Sequence, residues 1–354
     1  MVEGKLKINN ESEKRYRKIP LDSSSSLKMF SQDRRKYYKR YYMGESVEEP
    51  DTKATLMGKL VEVILLEPDL FDEKFYMSTC ESAPTGLMLT FVECLYKYTE
   101  AYTNEEGIIT KDFLDICKEA YLESGFKISL DAVLKKFIDS ENEAYYKEIR
   151  AVRRKGLSVV TTQDVTNAEK IVKELKNNFA TKDVINLEND DRWEIFNQFP
   201  IEGYEVDGLK FKSLIDKIVV DHKEKTIQIY DLKTVWSVEN FYEEYYLYRR
   251  AYIQAYLYHR SILNSENGIF PFNHEEYEVL IPRFIVCDSI NYNNPLIYKL
   301  SIEDMDRAYK GFKNENKTYP GVKELIKKLI WHKSMDVWNI SMENYLSGGI
   351  VNLV

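Results

Sequence analysis

Residues 208–234 constrain the fold more than any other stretch of the chain. They read Gly-Leu-Lys-Phe-Lys-Ser-Leu-Ile-Asp-Lys-Ile-Val-Val-Asp-His-Lys-Glu-Lys-Thr-Ile-Gln-Ile-Tyr-Asp-Leu-Lys-Thr. Two apolar runs flank a short polar turn, the pattern of two antiparallel strands. The spacing predicts a first strand over 209–220, a turn over 221–225 and a second strand over 226–234. Three charged residues break the pattern. Asp216 sits inside the first run, and Asp231 and Lys233 end the second. Alternate residues of a strand share a face, so Asp231 and Lys233 point the same way and Leu232 points into the opposite layer. The hairpin can set Asp216 beside Asp231, bringing two carboxylates and one ammonium to one spot.

Carboxylates among strand residues are costly unless they are paired or hold a metal. Two that share a site repel one another, and a hard divalent cation relieves the repulsion. Mg²⁺ takes oxygen ligands, commonly one or two carboxylates with water and a phosphate. A lysine beside it can orient a water or stabilise charge on a phosphate in flight. A lone Asp-x-Lys is ordinarily a solvated strand end. The upstream Asp216 in a matching strand shifts the balance towards a site.

The hairpin resembles the core of the PD-(D/E)XK nuclease superfamily, with Asp216 as the first acidic residue and Asp231-Leu232-Lys233 as the (D/E)-x-K. The segment that follows carries Gln254-Ala-Tyr-Leu-Tyr258, similar to the Gln-xxx-Tyr motif of the RecB-like branch. Upstream, Gly58-Lys-Leu-Val-Glu62-Val-Ile-Leu-Leu-Glu67-Pro68 resembles the Gly-xxx-His-xxxx-Glu-Pro helix of the RecE-type (exonuclease VIII) phage and prophage exonucleases. Glu62 stands where that family has histidine, which leaves a metal ligand but changes its preference. Ser23-Ser-Ser-Ser-Leu27 is similar to the family's Ser-x-Ser-x-Leu start.

The resemblance implies an α/β fold, a restriction-endonuclease-like mixed central sheet flanked by helices, with a helical insertion. It implies a metal-dependent deoxyribonuclease in which Glu62, Asp216 and Asp231, with the Leu232 carbonyl, hold Mg²⁺ or Mn²⁺. Lys233 orients the attacking water, and Gln254 assists. It further implies an exonuclease that resects double-stranded DNA ends in phage recombination, works as a homo-oligomer and partners a single-strand annealing protein. An endonuclease or a single-strand nuclease of the same fold, or a catalytically silent DNA-binding scaffold, remains open as an alternative.

Composition narrows the class. The chain has 354 residues, 44% hydrophobic and 31% charged, as in globular proteins. Its net charge of −8 excludes a generally basic DNA coat, so a nucleic-acid enzyme needs local basic surface. No apolar run is long enough for a membrane span, and no leader segment stands out, so a cytoplasmic protein is expected. Cys80, Cys94, Cys117 and Cys287 form no Cys-x-x-Cys pair, which argues against zinc. Only Cys287 follows the hairpin, whereas the RecB-like clusters need three there, so no iron–sulfur cluster is expected. Free thiols suit a reducing compartment.

Along the chain, residues 1–20 read as a loose arm and 21–354 as the nuclease domain, with a helical insertion over about 84–182 and a catalytic core over about 193–300. Asp22-Ser-Ser-Ser-Ser26 reads as a helix start with a serine N-cap. The stretch beyond it carries Arg34, Arg35, Lys36, Lys39 and Arg40 among Tyr37, Tyr38, Tyr41 and Tyr42, either a grip for a DNA strand or a solvated amphipathic face. Arg153 and Arg154 belong to a basic run with the same two readings. Lys212 shares the Asp216 face by parity, to touch DNA or pair with an acid. Residues 238–263 read as one helix, on which Gln254 and Tyr258 share a face. Arg249 and Arg250 precede them as candidate phosphate contacts. Residues 278–287 and 295–300 read as further strands, followed by a capping-box helix from Ser301 towards 314 and another over 322–333.

Overall fold

A computed structural model describes residues 10–45, 52–292 and 294–351. The chain divides into two compact units. One holds residues 1–49, 65–67 and 171–354, and the other residues 50–64 and 68–170.

The first unit opens with α1 (Asn10–Lys18), α2 (Ser24–Gln32) and α3 (Arg34–Tyr37), the last running into a π-helical turn over Tyr38–Tyr42. Residues 10–18, expected as part of a loose arm, are helical, and a distant lysine takes carbonyls at the end of that helix. Lys212 Nζ donates to the carbonyls of Tyr16, Arg17 and Ile19 at 2.8, 3.0 and 2.8 Å. Helix α2 starts with the expected serine cap. Ser23 Oγ accepts from the Ser26 N–H, and Ser26 Oγ accepts from the Ser23 N–H, a reciprocal box that satisfies two end donors.

The second unit is largely helical. Most of α4 (Lys53–Leu66) belongs to it, with α5 (Phe71–Lys74), α6 (Gly86–Ala101), α7 (Phe113–Ser124), α8 (Leu130–Phe137) and α9 (Glu141–Arg153). A short parallel pair, β1 (Phe75–Met77) with β2 (Ser158–Val160), ties its ends together. Its core gathers Phe91, Leu95, Ile116, Val133, Phe137 and Ile149, drawn from α6 to α9. Helix α10 (Thr162–Asn177) leads back to the first unit, followed by the short α11 (Lys182–Ile185).

The first unit then builds a five-stranded mixed sheet from β3 (Trp193–Val206), β4 (Leu209–Asp221), β5 (Thr226–Val235), β6 (Glu278–Asp288) and β7 (Leu296–Lys299), in that spatial order. Neighbours are antiparallel except β5 and β6, which are parallel. A parallel pair needs a crossover, and here it carries the π-helical turn Tyr242–Tyr248 and α12 (Ala251–Leu263). Helix α12 packs with the sheet around Ile218, Ile229, Phe284, Ile253 and Leu257, all buried.

The single helix expected over 238–263 is thus two pieces. The break is Arg250, a non-glycine residue in the left-handed region at φ 57°, ψ 43°. Such a conformation costs about 1–3 kcal/mol and persists only where its surroundings hold it. Here the Arg250 guanidinium is anchored on the Ser31 hydroxyl of α2.

Helix α13 (Ile302–Lys310), with the expected Ser301–Asp304 capping box, stops short of 314. A hairpin follows, β8 (Gly311–Asn314) with β9 (Lys317–Pro320), which periodicity did not suggest. A Cβ on Gly321 would lie 2.3 Å from the Gly311 nitrogen, so the hairpin closes only with glycine at its base. Helices α14 (Val322–Met335) and α15 (Met342–Leu346) end the described chain.

The turn joining β4 to β5 rests on Asp221, which is buried. Its carboxylate accepts from Arg192 at 2.7 Å and from the N–H groups of Lys223 and Glu224 at 3.0 and 3.1 Å. Arg192 first, then those N–H groups, hold its carboxyl below the usual range. A depressed folded-state value stabilises the fold above the unfolded carboxyl's pKa and is lost as pH falls through the folded one. Asp221→Ala is therefore expected to cost roughly 1–3 kcal/mol in urea unfolding at pH 7. The gap to wild type should close as the pH is lowered through the carboxyl range.

Candidate active site

The β4–β5 ladder is incomplete, and the break makes the site. Pairing runs from Asp221 opposite Thr226 to Lys217 opposite Tyr230 and stops. The next residues on the two strands are Asp216 and Asp231. Where the ladder would continue, Asp216 Oδ2 accepts the Leu232 N–H at 2.8 Å. A side chain thus takes over a backbone hydrogen bond and the strands fork.

Beyond the fork each strand finds another partner. The β4 edge is taken by the segment before α2, where Lys212 N–H donates to the Asp22 carbonyl at 2.8 Å. Strand β5 continues along β6 to Val235 opposite Asp288. Asp22 is itself held by Ser26 Oγ at 2.9 Å, Tyr37 Oη at 2.7 Å and Lys333 Nζ at 2.5 Å. The segment that flanks the fork is therefore pinned to α3 and α14.

Asp231 is 2% exposed and Asp216 9%. Asp231 Oδ1 accepts from the Gln254 amide at 2.7 Å. Its other oxygen lies 2.5 Å from Lys233 Nζ, yet it accepts no hydrogen bond of good geometry. Lys233 keeps 23% of its side chain exposed, so its ammonium reaches both Asp231 and solvent. Gln254 is the hub. Its nitrogen donates to Asp231 and, at 2.8 Å, to Tyr258 Oη, while its oxygen accepts from Lys28 Nζ at 2.9 Å. Tyr258 Oη in turn donates to the Leu214 carbonyl at 2.6 Å on β4. Burial, then Asp216 and Asp231, push the Tyr258 phenol well above its usual range, so it stays a neutral donor.

Lys28 is the residue that sequence reasoning missed. It lies on α2, over two hundred positions from Gln254, and only its place just after Ser23-Ser-Ser-Ser-Leu27 could have pointed to it. Burial, then the neighbouring Lys233, pull its ammonium down to about 8, against the opposite pull of Asp231 and Asp216. Arg249 is exposed, with its guanidinium 4.6 Å from the Tyr245 ring centre, and its charge also reaches Lys28. Lys233 and Lys28 thus bring positive charge to the two buried carboxylates.

Of the remaining sequence candidates, several are engaged in contacts of their own. Arg34 Nε donates to the Trp338 carbonyl at 2.9 Å, and Arg35 is exposed. Lys212 is committed to the end of α1. In the helical unit, Arg153 forms a two-pronged pair with Glu93 at 2.5 and 2.7 Å. Arg154 does the same with Glu100, both contacts at 2.9 Å. Glu62 is half-buried on α4, in the helical unit.

Among the described residues no group of three or more His, Cys, Asp and Glu stands ready to hold a metal ion. The fork itself offers two carboxylates and the Leu232 carbonyl. All are hard oxygen donors, and the second Asp231 oxygen has the Lys233 ammonium opposite it at 2.5 Å. That donor set fits Mg²⁺ or Mn²⁺, which complete their shells with water and phosphate oxygens. It does not fit zinc, which favours nitrogen and sulfur. The four cysteines are buried and separate in sequence. Burial pushes the thiols of Cys94, Cys117 and Cys287 up to about 11, 11 and 12.

No family model matches the chain, and no curated protein matches it in sequence. Among solved structures, the chain is similar to a "putative exonuclease" from Eubacterium rectale, at 12% identity and a TM-score of 0.48. The likeness covers 99% of this chain and 96% of that one. At that level it bears on neither family nor activity. Among the described residues no helix is long and apolar enough to cross a membrane.

The geometry yields a binding prediction that needs no substrate. Ligand binding to the folded state raises stability by about 2.7 kcal/mol at a hundredfold excess over Kd. Mg²⁺ or Mn²⁺ at that excess should raise Tm by roughly 3–8 °C, read by differential scanning fluorimetry. Asp231→Asn should remove the shift.

Proposed function

We propose that the fork is a metal-dependent phosphodiesterase centre and that the protein is a deoxyribonuclease of the PD-(D/E)XK kind. The observation that carries this reading is the convergence of Asp216, Asp231 and Lys233 at a break in the ladder, with Gln254 bonded to Asp231. Asp216 and Asp231, with the Leu232 carbonyl, are the residues that would hold Mg²⁺ or Mn²⁺. The sequence motif adds Glu62 to that set. When bound, the cation supplies Lewis-acid activation of the phosphate and of a water.

The chain's own groups do the rest. Lys233 sits at the solvent side of Asp231, where its ammonium can orient the attacking water and neutralise charge gathering on the non-bridging phosphate oxygens. In the reaction the water oxygen bonds to phosphorus and gives up a proton to solvent, the bond to the leaving sugar oxygen breaks, and that oxygen takes up a proton from solvent. Gln254 fixes the Asp231 carboxylate, and Tyr258 fixes Gln254 against β4. Positioning of this kind matters because small misplacements of a reacting group cost large factors in rate. Lys28 and Arg249 add positive charge where a phosphate backbone would run.

Within that class, the motif order supports an exonuclease of the RecE type, acting on double-stranded DNA ends in phage recombination, as a homo-oligomer in the cytoplasm with an annealing protein as partner. The discriminating experiment is digestion of end-labelled linear DNA against closed circular DNA, in Mg²⁺ or EDTA. Wild type should degrade the linear DNA alone and only with metal. Lys233→Ala should lower the rate by about a hundredfold or more while the protein stays folded. Glu62→Ala in the same assay tests its role. Nicked circles would move the reading to an endonuclease. No cleavage by folded wild type in either metal would contradict the enzyme reading.

A further inference from the structure

The basic, tyrosine-rich stretch after α2 is not absorbed by the fork. From Arg34 to Gly44 the sequence holds five cations and four tyrosines and no acidic residue, in a chain of net charge −8. In the structure the tyrosines separate into an inner and an outer set. Tyr37 is 1% exposed and bonded to Asp22. Tyr41 and Tyr42, on the π-helical turn, are 39% and 43% exposed.

The outer rings rest on a stacked aromatic base. Tyr41 lies 5.5 Å from Tyr37, and Tyr42 lies 5.5 Å from Tyr38 and 4.9 Å from Trp338, centre to centre. Tyr37 and Trp338 are in turn stacked at 5.7 Å. The wide turn is what aligns these pairs. Its defining bond runs from the Met43 N–H to the Tyr38 carbonyl at 2.9 Å, five residues apart, a geometry found often at functional sites. Two half-exposed rings are thereby held in place before any ligand arrives. Cations flank them. The Arg40 guanidinium stands 5.7 Å from the Tyr41 ring, and Arg35, Lys39 and Arg40 are all exposed.

The same helix that leads to these rings begins at the fork. Lys28 of α2 bonds Gln254, and Gln32, one turn or about 6 Å along, donates to the Tyr248 carbonyl. Tyr248 is 71% exposed and adjoins Arg249. Rigid exposed rings flanked by cations are what single-stranded nucleic acid recognises, since every base has a face to stack and every linkage a phosphate. A surface for a protein partner would not need so many cations beside exposed rings in one short run.

We propose that Tyr41 and Tyr42, with Arg35, Lys39 and Arg40, form a binding surface for single-stranded nucleic acid, separate from the fork and joined to it by α2. Bases stack on the two rings and the cations take the phosphates. The surface holds an unpaired strand while the fork works on DNA. Only that last step rests on the nuclease reading.

The test is fluorescence anisotropy of a labelled oligothymidylate of about 12 nucleotides, a length within the usual single-strand site range, with the full chain in EDTA across a salt series. Wild type should bind with salt-dependent affinity and prefer the oligothymidylate to a blunt hairpin duplex. The double variant Tyr41→Ala/Tyr42→Ala should weaken binding roughly tenfold or more. Tyr41→Phe/Tyr42→Phe should stay within about twofold, because stacking needs the ring and not the hydroxyl. Lys39→Glu/Arg40→Glu should also flatten the salt dependence by about 1.4 in log–log slope, as expected when two phosphates are no longer neutralised. Should the alanine pair unfold, the phenylalanine and glutamate pairs decide. Absence of salt-dependent binding by wild type, unchanged affinity and slope in the glutamate pair, or equal binding of the duplex overturns the proposal. Cleavage is not read, so a protein that binds here but never cuts would refute the nuclease reading alone.

Discussion

The hydrogen bond from the Leu232 N–H to the Asp216 carboxylate is the contact on which the rest of this site depends. It occupies the place of a ladder bond between β4 and β5. A backbone donor left unpaired at that depth would cost about 1–3 kcal/mol, so the carboxylate stabilises the very opening that it creates. Once the strands diverge, one edge must be covered, and the segment around Asp22 covers it. The other strand carries Asp231 and Lys233 onward along β6. The crossover between these two parallel strands then has to lay a helix over the sheet, and that helix brings Gln254 to Asp231.

The charge arrangement follows from this opening. Two carboxylates that are nearly inaccessible to water, one from β4 and one from β5, lie among Lys233 of β5 and Lys28 of α2. Lys28 is held against its own desolvation by these carboxylates, and it holds Gln254 in turn. Tyr258 closes the loop by tying Gln254 back to β4 at Leu214. Each of these groups is satisfied by another, apart from one Asp231 oxygen that has charge opposite it but no hydrogen bond. A buried polar network of this kind is stiff, as the proposed phosphodiesterase centre would require.

Local pattern made the hairpin legible almost to the residue: the strands end at Asp221 and Val235 where the sequence suggested 220 and 234. Strand parity likewise put Asp231 and Lys233 on one face, while the mixed α/β sheet was expected from the resemblance of the motifs. What could not be read were the contacts made between distant segments. Nothing near Lys212 in sequence says that three carbonyls at the end of α1 will take its ammonium. Nothing near Arg153 or Arg154 points to Glu93 and Glu100, more than fifty positions away. Lys28 reaches the site only because α2 docks on α12. The break at Arg250 was hidden for a related reason, since a left-handed arginine is stable only with Ser31 beside it. The β8–β9 hairpin depends on Gly311 meeting Gly321, a close approach that periodicity cannot report.

Asp216 and Asp231 are the residues proposed to hold a divalent cation at the fork. Anomalous diffraction from crystals grown with Mn²⁺, collected on both sides of the manganese edge, tests that proposal without reference to activity. One strong anomalous peak is expected within coordination distance of both carboxylates and of the Leu232 carbonyl, roughly 2.0–2.3 Å. A map with manganese bound elsewhere and no peak at the fork would contradict the proposal.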